Sequence, residues 1–247
     1  MRELSVFIFA FSALLAASRG YAYTSFTEGL FKKQQEKASA RWTLADWLSQ
    51  KKTFLAMDQW LALNRSKDLF EFNLEGGKSR YDLTVNGLKT EQEIDRLSGI
   101  FYWSIFGIQY IWEESDERWK KESGQLNLRL LGTSSQSTNL TGFYGASKWK
   151  FSAPAKELEQ NYYGGRLTIY ILSFFGIDGE YRKSLKAKDE SGTSHENERI
   201  DYGAFIDVLF VRLYAAAFTE EVVNKDENGI RSESERDGFE AGVKLYF

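Results

Sequence analysis

Gly238-Phe239-Glu240-Ala241-Gly242-Val243-Lys244-Leu245-Tyr246-Phe247 ends the chain, and Phe239, Ala241, Val243, Leu245 and Phe247 fall on one side of it when it is extended. Side chains of a β-strand alternate between two faces, so the stretch reads as a strand with one apolar and one mixed face. The same period of two runs back through most of the chain. Tyr81, Leu83 and Val85 alternate with Arg80, Asp82, Thr84 and Asn86; Leu126, Leu128 and Leu130 with Gln125, Asn127 and Arg129; Leu167, Ile169 and Ile171 with Arg166, Thr168 and Tyr170. Ile177 to Ala187 sets Asp178, Glu180, Arg182, Ser184 and Lys186 against Ile177, Gly179, Tyr181, Leu185 and Ala187. Arg199 to Val208 sets Asp201 and Asp207 against Ile200, Tyr202, Ala204, Ile206 and Val208.

Composition removes several function classes. The 247 residues carry 32 Lys plus Arg against 35 Asp plus Glu, so no basic excess calls for a nucleic acid. Without cysteine there is no disulfide framework, thiolate metal site or cysteine nucleophile. The single histidine, His195, lies in the polar run Lys188 to Glu198 and reads as a solvated loop residue without catalytic company. No catalytic or metal-ligating residue is expected, and no cofactor.

The N-terminus reads as a targeting segment. A short start carrying Arg2, the apolar run Ser5 to Ala17 and the small residues Gly20 and Ala22 fit a signal peptide cleaved after Ala22, the rival being a buried helix. The run is shorter than the about 20 apolar residues that a spanning helix needs. Residues 23–67 have a helical pattern. Thr43 to Asp46 resembles a capping box, and Leu44, Trp47, Leu48, Phe54, Leu55 and Leu61 share one side of a helical wheel, interrupted by Lys51. This predicts a helix that packs on its own protein or contacts a membrane surface or periplasmic partner through residues 43–63.

Alternation alone leaves two classes of barrel open. A soluble carrier turns its apolar face inward around a lipid or ligand, whereas a transmembrane barrel turns it to lipid. Pro154 is the single proline of the chain, and aromatics such as Tyr110, Trp112, Trp149 and Tyr246 lie near strand ends, where a headgroup girdle would place them. The C-terminal stretch resembles the last strand of bacterial outer-membrane β-barrels, closely over about ten residues. The resemblance implies an all-β, closed, antiparallel up-and-down transmembrane barrel over residues 68–247. It also implies that Val243, Leu245 and Phe247 form a signal read by the barrel-assembly machinery, and that outer-membrane lipid surrounds the barrel of a Gram-negative bacterium.

The pattern predicts strands near 79–88, 94–104, 108–114, 122–132, 139–151, 161–172, 177–187, 199–209, 212–223 and 237–247. Eight or twelve strands are also compatible, the first strand starting earlier through a bulge at Gly76-Gly77. Ser104 to Ile108, Ser173 to Ile177 and Leu209 to Val211 read as short connections, with Thr133 to Ser137 a short polar one. Glu114 to Gly124, Ser152 to Gln160, Lys188 to Glu198 and Asn224 to Arg236 read as longer outer loops, which puts both termini in the periplasm. Parity then directs Arg80, Asp82, Arg96, Gln109, Glu113, Asn127, Arg129, Lys148, Lys150, Arg166, Asp178, Glu180, Arg182, Lys186, Asp201, Asp207, Glu240 and Lys244 into the lumen. Within that set Arg166, Asp178, Glu180, Arg182, Lys186 and Asp201 are expected to form a charge network, as a salt-bridged plug or the lining of a narrow pore. The functional expectation is an outer-membrane barrel without enzymatic activity, either structural and surface-contacting or a narrow pore. An outer-membrane hydrolase with a site at the outer rim and a soluble periplasmic carrier are the alternatives.

Overall fold

The computed structural model describes residues 69–85, 88–115, 118–152, 155–189, 192–225 and 231–247. The expected signal peptide and the helical segment of 23–67, including the stripe of 43–63, lie outside the described residues. Ten long strands run in chain order: β1 Phe70–Val85, β2 Leu88–Trp103, β3 Phe106–Ser115, β4 Trp119–Leu131, β5 Asn139–Ser152, β6 Ala155–Tyr170, β7 Phe175–Ser184, β9 Ser194–Val208, β10 Val211–Lys225 and β11 Arg231–Tyr246. Between β7 and β9 lies the two-residue β8, Ala187–Lys188. Each long strand pairs antiparallel with the next, and β1 pairs with β11 from Asn73↔Tyr246 to Val85↔Ser234, which closes the barrel. The register of β1 with both neighbours runs straight through Gly76-Gly77, so that strand does begin earlier but without the expected bulge. Gly77 is needed for another reason: a Cβ there would lie 2.6 Å from the Tyr214 hydroxyl that crosses it.

The alternation becomes a barrel because its apolar rows face outward near the end where Phe70 and Phe247 lie, here the terminal end. Phe72 and Leu74, Leu97 and Phe101, Ile108 and Tyr110, Leu126 and Leu128, Ile206, and Val243 are all exposed on the walls. Behind them stand polar residues such as Asn73, Glu75, Gln109, Asn127 and Arg129, all buried. Apolar outside and polar inside is the order of a barrel set in lipid, and it is the reverse of a soluble carrier's. No helix among the described residues is long and apolar enough to span a membrane.

Farther along, the outward rows turn charged while the pleat continues. On β1, Phe70, Phe72 and Leu74 give way to Lys78, Arg80 and Asp82; on β2, Phe101 and Leu97 give way to Asp95, Glu93 and Glu91. The far half of the barrel therefore stands in water. Its inward row becomes apolar in compensation, with Tyr81, Ile94, Trp119, Trp149, Leu158 and Phe218 forming one buried cluster. Three expectations are corrected by this switch. Arg80 and Asp82 face outward and Tyr81 inward, and Lys148 and Lys150 face outward around a buried Trp149. Trp149 and Tyr246 are buried inside and belong to no girdle, unlike the exposed Tyr110. The expected long outer loops are mostly strand, because a polar stretch that still alternates can go on pairing once its outer face meets water. Thus residues 86–87 alone separate β1 from β2, and Lys156 to Gln160 belong to β6.

Candidate functional site

The interior is built in three layers. At the terminal end the connection between β4 and β5 folds into the mouth instead of hanging below it. Gly132 takes a left-handed φ of 108° and turns the chain inward, and Gln136 and Ser137 are 1% and 0% exposed. The turn is tied on all sides. The Ser135 N–H donates to Glu71 Oε2 at 2.8 Å, Arg129 Nη2 donates to Ser135 Oγ at 3.1 Å, and Gln136 Nε2 donates to the Leu209 carbonyl at 3.1 Å. Thr138 Oγ1 accepts from the Tyr170 N–H at 3.1 Å. Beside it Arg212 donates to Asp207 at 2.7 Å and to the Tyr170 hydroxyl, lying 3.6 Å over the Phe205 ring.

Above the turn is a chamber of about 90 Å³ lined by charges of both signs, among them Glu75, Arg96, Arg166, Asp178, Glu180, Asp201, Glu240 and Lys244. Lys244 Nζ is 2.7 Å from Glu75, Arg166 Nη2 is 2.6 Å from Glu180, and Arg96 Nη1 is 3.1 Å from Glu240. Tyr214 Oη donates to Glu240 at 2.9 Å. A further charged tier, Lys121 with Glu113 at 2.8 Å and Arg236 with Glu220 at 3.0 Å, leads to the third layer. That layer is the apolar cluster. The Trp119 and Trp149 rings stand 4.8 Å apart, Lys121 lies 4.6 Å over Trp149, and Arg199 lies 4.0 Å over Phe218.

Of the six residues expected to form one network, Arg166, Glu180 and Arg182 meet, with Glu180 2.6 Å from each arginine. Asp201 is held by Arg199 at 2.6 Å on its own strand and does not reach Arg166. Asp178 lines the chamber opposite Thr168. Lys186 is misplaced: it is exposed, because β7 stops at Ser184 and the break at 185–186 shifts the inward parity to Ala187. Glu71, Glu75, Lys121, Arg199, Arg212 and Glu220 are additional members of the interior. Glu71 and Glu75 alternate with Phe70, Phe72 and Leu74, so the same parity carried back to Phe70 finds them. Val243 and Phe239 are exposed on the outer row of β11 with Leu245, and the Phe247 backbone exchanges hydrogen bonds with Phe72 at 2.8 and 3.3 Å.

His195 is not the solvated loop residue expected of it. It lies on β9, partly buried, with Nδ1 2.7 Å from Asn224 Oδ1 and Nε2 3.3 Å from Asp189 Oδ2. Among the described residues no group of three His, Asp or Glu side chains is arranged to hold a metal.

No family model and no curated protein matches the chain. Solved structures of similar shape include neisserial surface protein A, at 11% identity and TM-score 0.35 over 71% of this chain and 97% of that one. The outer membrane protease OmpT of Escherichia coli is similar at 11% identity and TM-score 0.41, over 73% and 97%. Ail, the attachment invasion locus protein of Yersinia pestis, solved with the heparin analogue sucrose octasulfate, is similar at 8% identity and TM-score 0.28, over 73% and 100%. No residue role is carried over from any of them.

Proposed function

We propose that this chain is an integral outer-membrane barrel of a Gram-negative bacterium that neither conducts nor catalyses, and that acts through the part of the wall standing in water. The terminal end faces the periplasm in this reading, with Phe247 read by the assembly machinery and residues 43–63 available for a periplasmic contact. The observation that carries it is the closure of the lumen on both sides of the charged chamber, by the inserted turn at the terminal end and the aromatic cluster at the other. A diffusion pore has neither, and open channels belong to wider barrels of about 16 strands or more. A rim hydrolase built on His195 would need one ring nitrogen free to serve a nucleophile, and both face partners, Asn224 and Asp189.

Planar-bilayer recording tests the reading. The unmodified protein is expected to give no stable conductance. Replacing Ser134 to Ser137 by an Asn-Gly turn, or substituting Trp119→Ala with Trp149→Ala, is expected to leave it closed, because each change opens one side of the charged chamber and leaves the other side blocked. The combined variant is expected to conduct. A large, steady conductance from the unmodified protein would favour the pore.

A further inference from the structure

The connections at the terminal end differ in composition from those at the far end. Trp103-Ser104-Ile105-Phe106, the inserted turn of 132–138, Ile171-Leu172-Ser173-Phe174 and Val208-Leu209-Phe210-Val211 hold no Asp, Glu, Lys or Arg, and neither does the junction of Leu69 with Phe247. Far-end connections are charged, as in Asp116-Glu117 and Lys186 to Asp189. Two neighbouring turns of the uncharged rim leave apolar side chains in the open. Between β6 and β7, Leu172 and Phe174 are 49% and 52% exposed, and between β9 and β10, Leu209 is 49% exposed. Leu209 stands at a left-handed φ of 57° in a two-residue turn closed by Val208↔Val211. Asn or Gly takes that conformation with less strain, so a leucine there points to a contact made by its side chain.

These tips lie beyond the last ladder pairs, Tyr170↔Gly176 and Val208↔Val211. At the same end Thr133, Ser134 and Ser135 of the inserted turn are half-buried, and polar groups so placed call for water or headgroups, not hydrocarbon. The chain outside the described residues joins the barrel on this rim, at Leu69, with Arg65, Lys67 and Asp68 just before it. Residues 62–69 tie Leu61 to β1 with a reach of at most about 26 Å. Only β11 separates β1 from β10, so the β9–β10 turn is well within that reach.

We propose that residues 44–61, whose sequence predicts a helix with one apolar side, dock that side on the β9–β10 and β6–β7 turns of the rim. The middles of the two turns are two strands apart, about 10 Å at the usual strand spacing. Leu48 and Leu55, both on the apolar side, are seven residues apart, which is also about 10 Å along a helix. With the Leu61 end nearest β1, Leu55 meets Leu209 and Leu48 meets Leu172. The short tether keeps the segment at a high local concentration, so a modest apolar contact holds it. The opposite side, with Asp46, Ser49 and Lys52, is then the one turned to the periplasm. The proposal rests on reading the terminal end as periplasmic, and it names the surface that residues 43–63 contact there.

The chain has no cysteine, so introduced pairs read the docking without background. In the full-length protein reconstituted in liposomes, mild oxidation is expected to form an intramolecular disulfide in Leu48→Cys with Leu172→Cys, and in Leu55→Cys with Leu209→Cys. Ser49→Cys with Leu172→Cys shares the tether but lies on the other side of the helix, and it should crosslink severalfold less. Equal yields from the Leu48 and Ser49 pairs would mean a loose tether and overturn the docking. Disulfides formed mainly between chains would overturn it in favour of a second copy. Quenching of a bimane probe on Leu48→Cys by brominated lipid, without crosslinks, would overturn it in favour of the membrane surface. The two pairs use separate turns, so poor folding of one variant leaves the other to decide. Heat-modifiable migration of the unmodified protein tests the barrel by itself, so a missing crosslink in folded barrels counts against the docking alone.

Discussion

Arg129 of β4 grips Glu71 of β1 with two bonds, Nη1 to Oε1 at 2.9 Å and Nη2 to Oε2 at 3.3 Å, and both side chains are almost wholly withdrawn from solvent. The strands are not neighbours, so the pair spans the mouth of the barrel rather than its wall. It also carries the inserted turn, since Ser135 is bonded to both partners. Arg129→Ala would leave Glu71 buried without its guanidinium, a loss of about 3–5 kcal/mol. Replacing both residues by leucine should recover much of that loss. Urea unfolding of the reconstituted protein separates the two, and equal destabilisation by the single and double variants would count against the pair as the clamp.

The parity of the far half makes a second test, because composition alone would place lysines inside and tryptophans at the lipid. Trp149 lies 4.8 Å from Trp119 and 6.0 Å from Phe151 by ring centroids, in a dry cluster. Trp149→Ala should cost about 3–5 kcal/mol. Lys150→Glu, one residue away on the wet outer face, should change stability by no more than about 0.5 kcal/mol. The reverse order, measured by the same unfolding, would mean that the strand is turned over.

In the lipid-facing half the two faces of β6 should answer oppositely to one added charge. Leu167 is 45% exposed on the outer wall, whereas Thr168 is 3% exposed, inside and paired across the ladder with Asp178. Arginine on the lipid face near the midplane costs about 2–4 kcal/mol. Leu167→Arg is therefore expected to lower the heat-modifiable, folded fraction on gels, while Thr168→Arg finds a carboxylate beside it and assembles.

Phe247 joins the ends of the barrel through its backbone bonds to Phe72, and the two rings stand 6.0 Å apart. Deleting Phe247 should reduce folded protein in the outer membrane far more than deleting Ser191 from the connection before β9. Equal yields from the two deletions would remove the assembly role assigned to Val243, Leu245 and Phe247.

What the sequence determined by itself is the period and, through the resemblance of the last strand, an expected sense for the lipid-facing half. The alternation of Leu126, Leu128 and Leu130 with Gln125, Asn127 and Arg129 fits an apolar core as well as lipid, and it is the last strand, with Val243, Leu245 and Phe247, whose resemblance pointed to lipid. With lipid outside, closure follows, because there no strand can leave its backbone edge unpaired. The same alternation stops being decisive where the barrel leaves the bilayer. Arg80 beside Tyr81, or Lys148 beside Trp149, fits a polar lumen in a lipid wall as well as it fits a dry core in a wet wall. The choice depends on where the membrane ends, which is a property of the assembled belt and of no single strand. Tertiary structure likewise decided the plug. Thr133 to Ser137 reads as an ordinary polar turn, and it goes inside because Glu71, Arg129 and Leu209, far apart in sequence, converge to satisfy its polar groups. His195 follows the same rule, its polar neighbours in sequence suggesting a wet loop until Asn224 and Asp189 close around it from other strands.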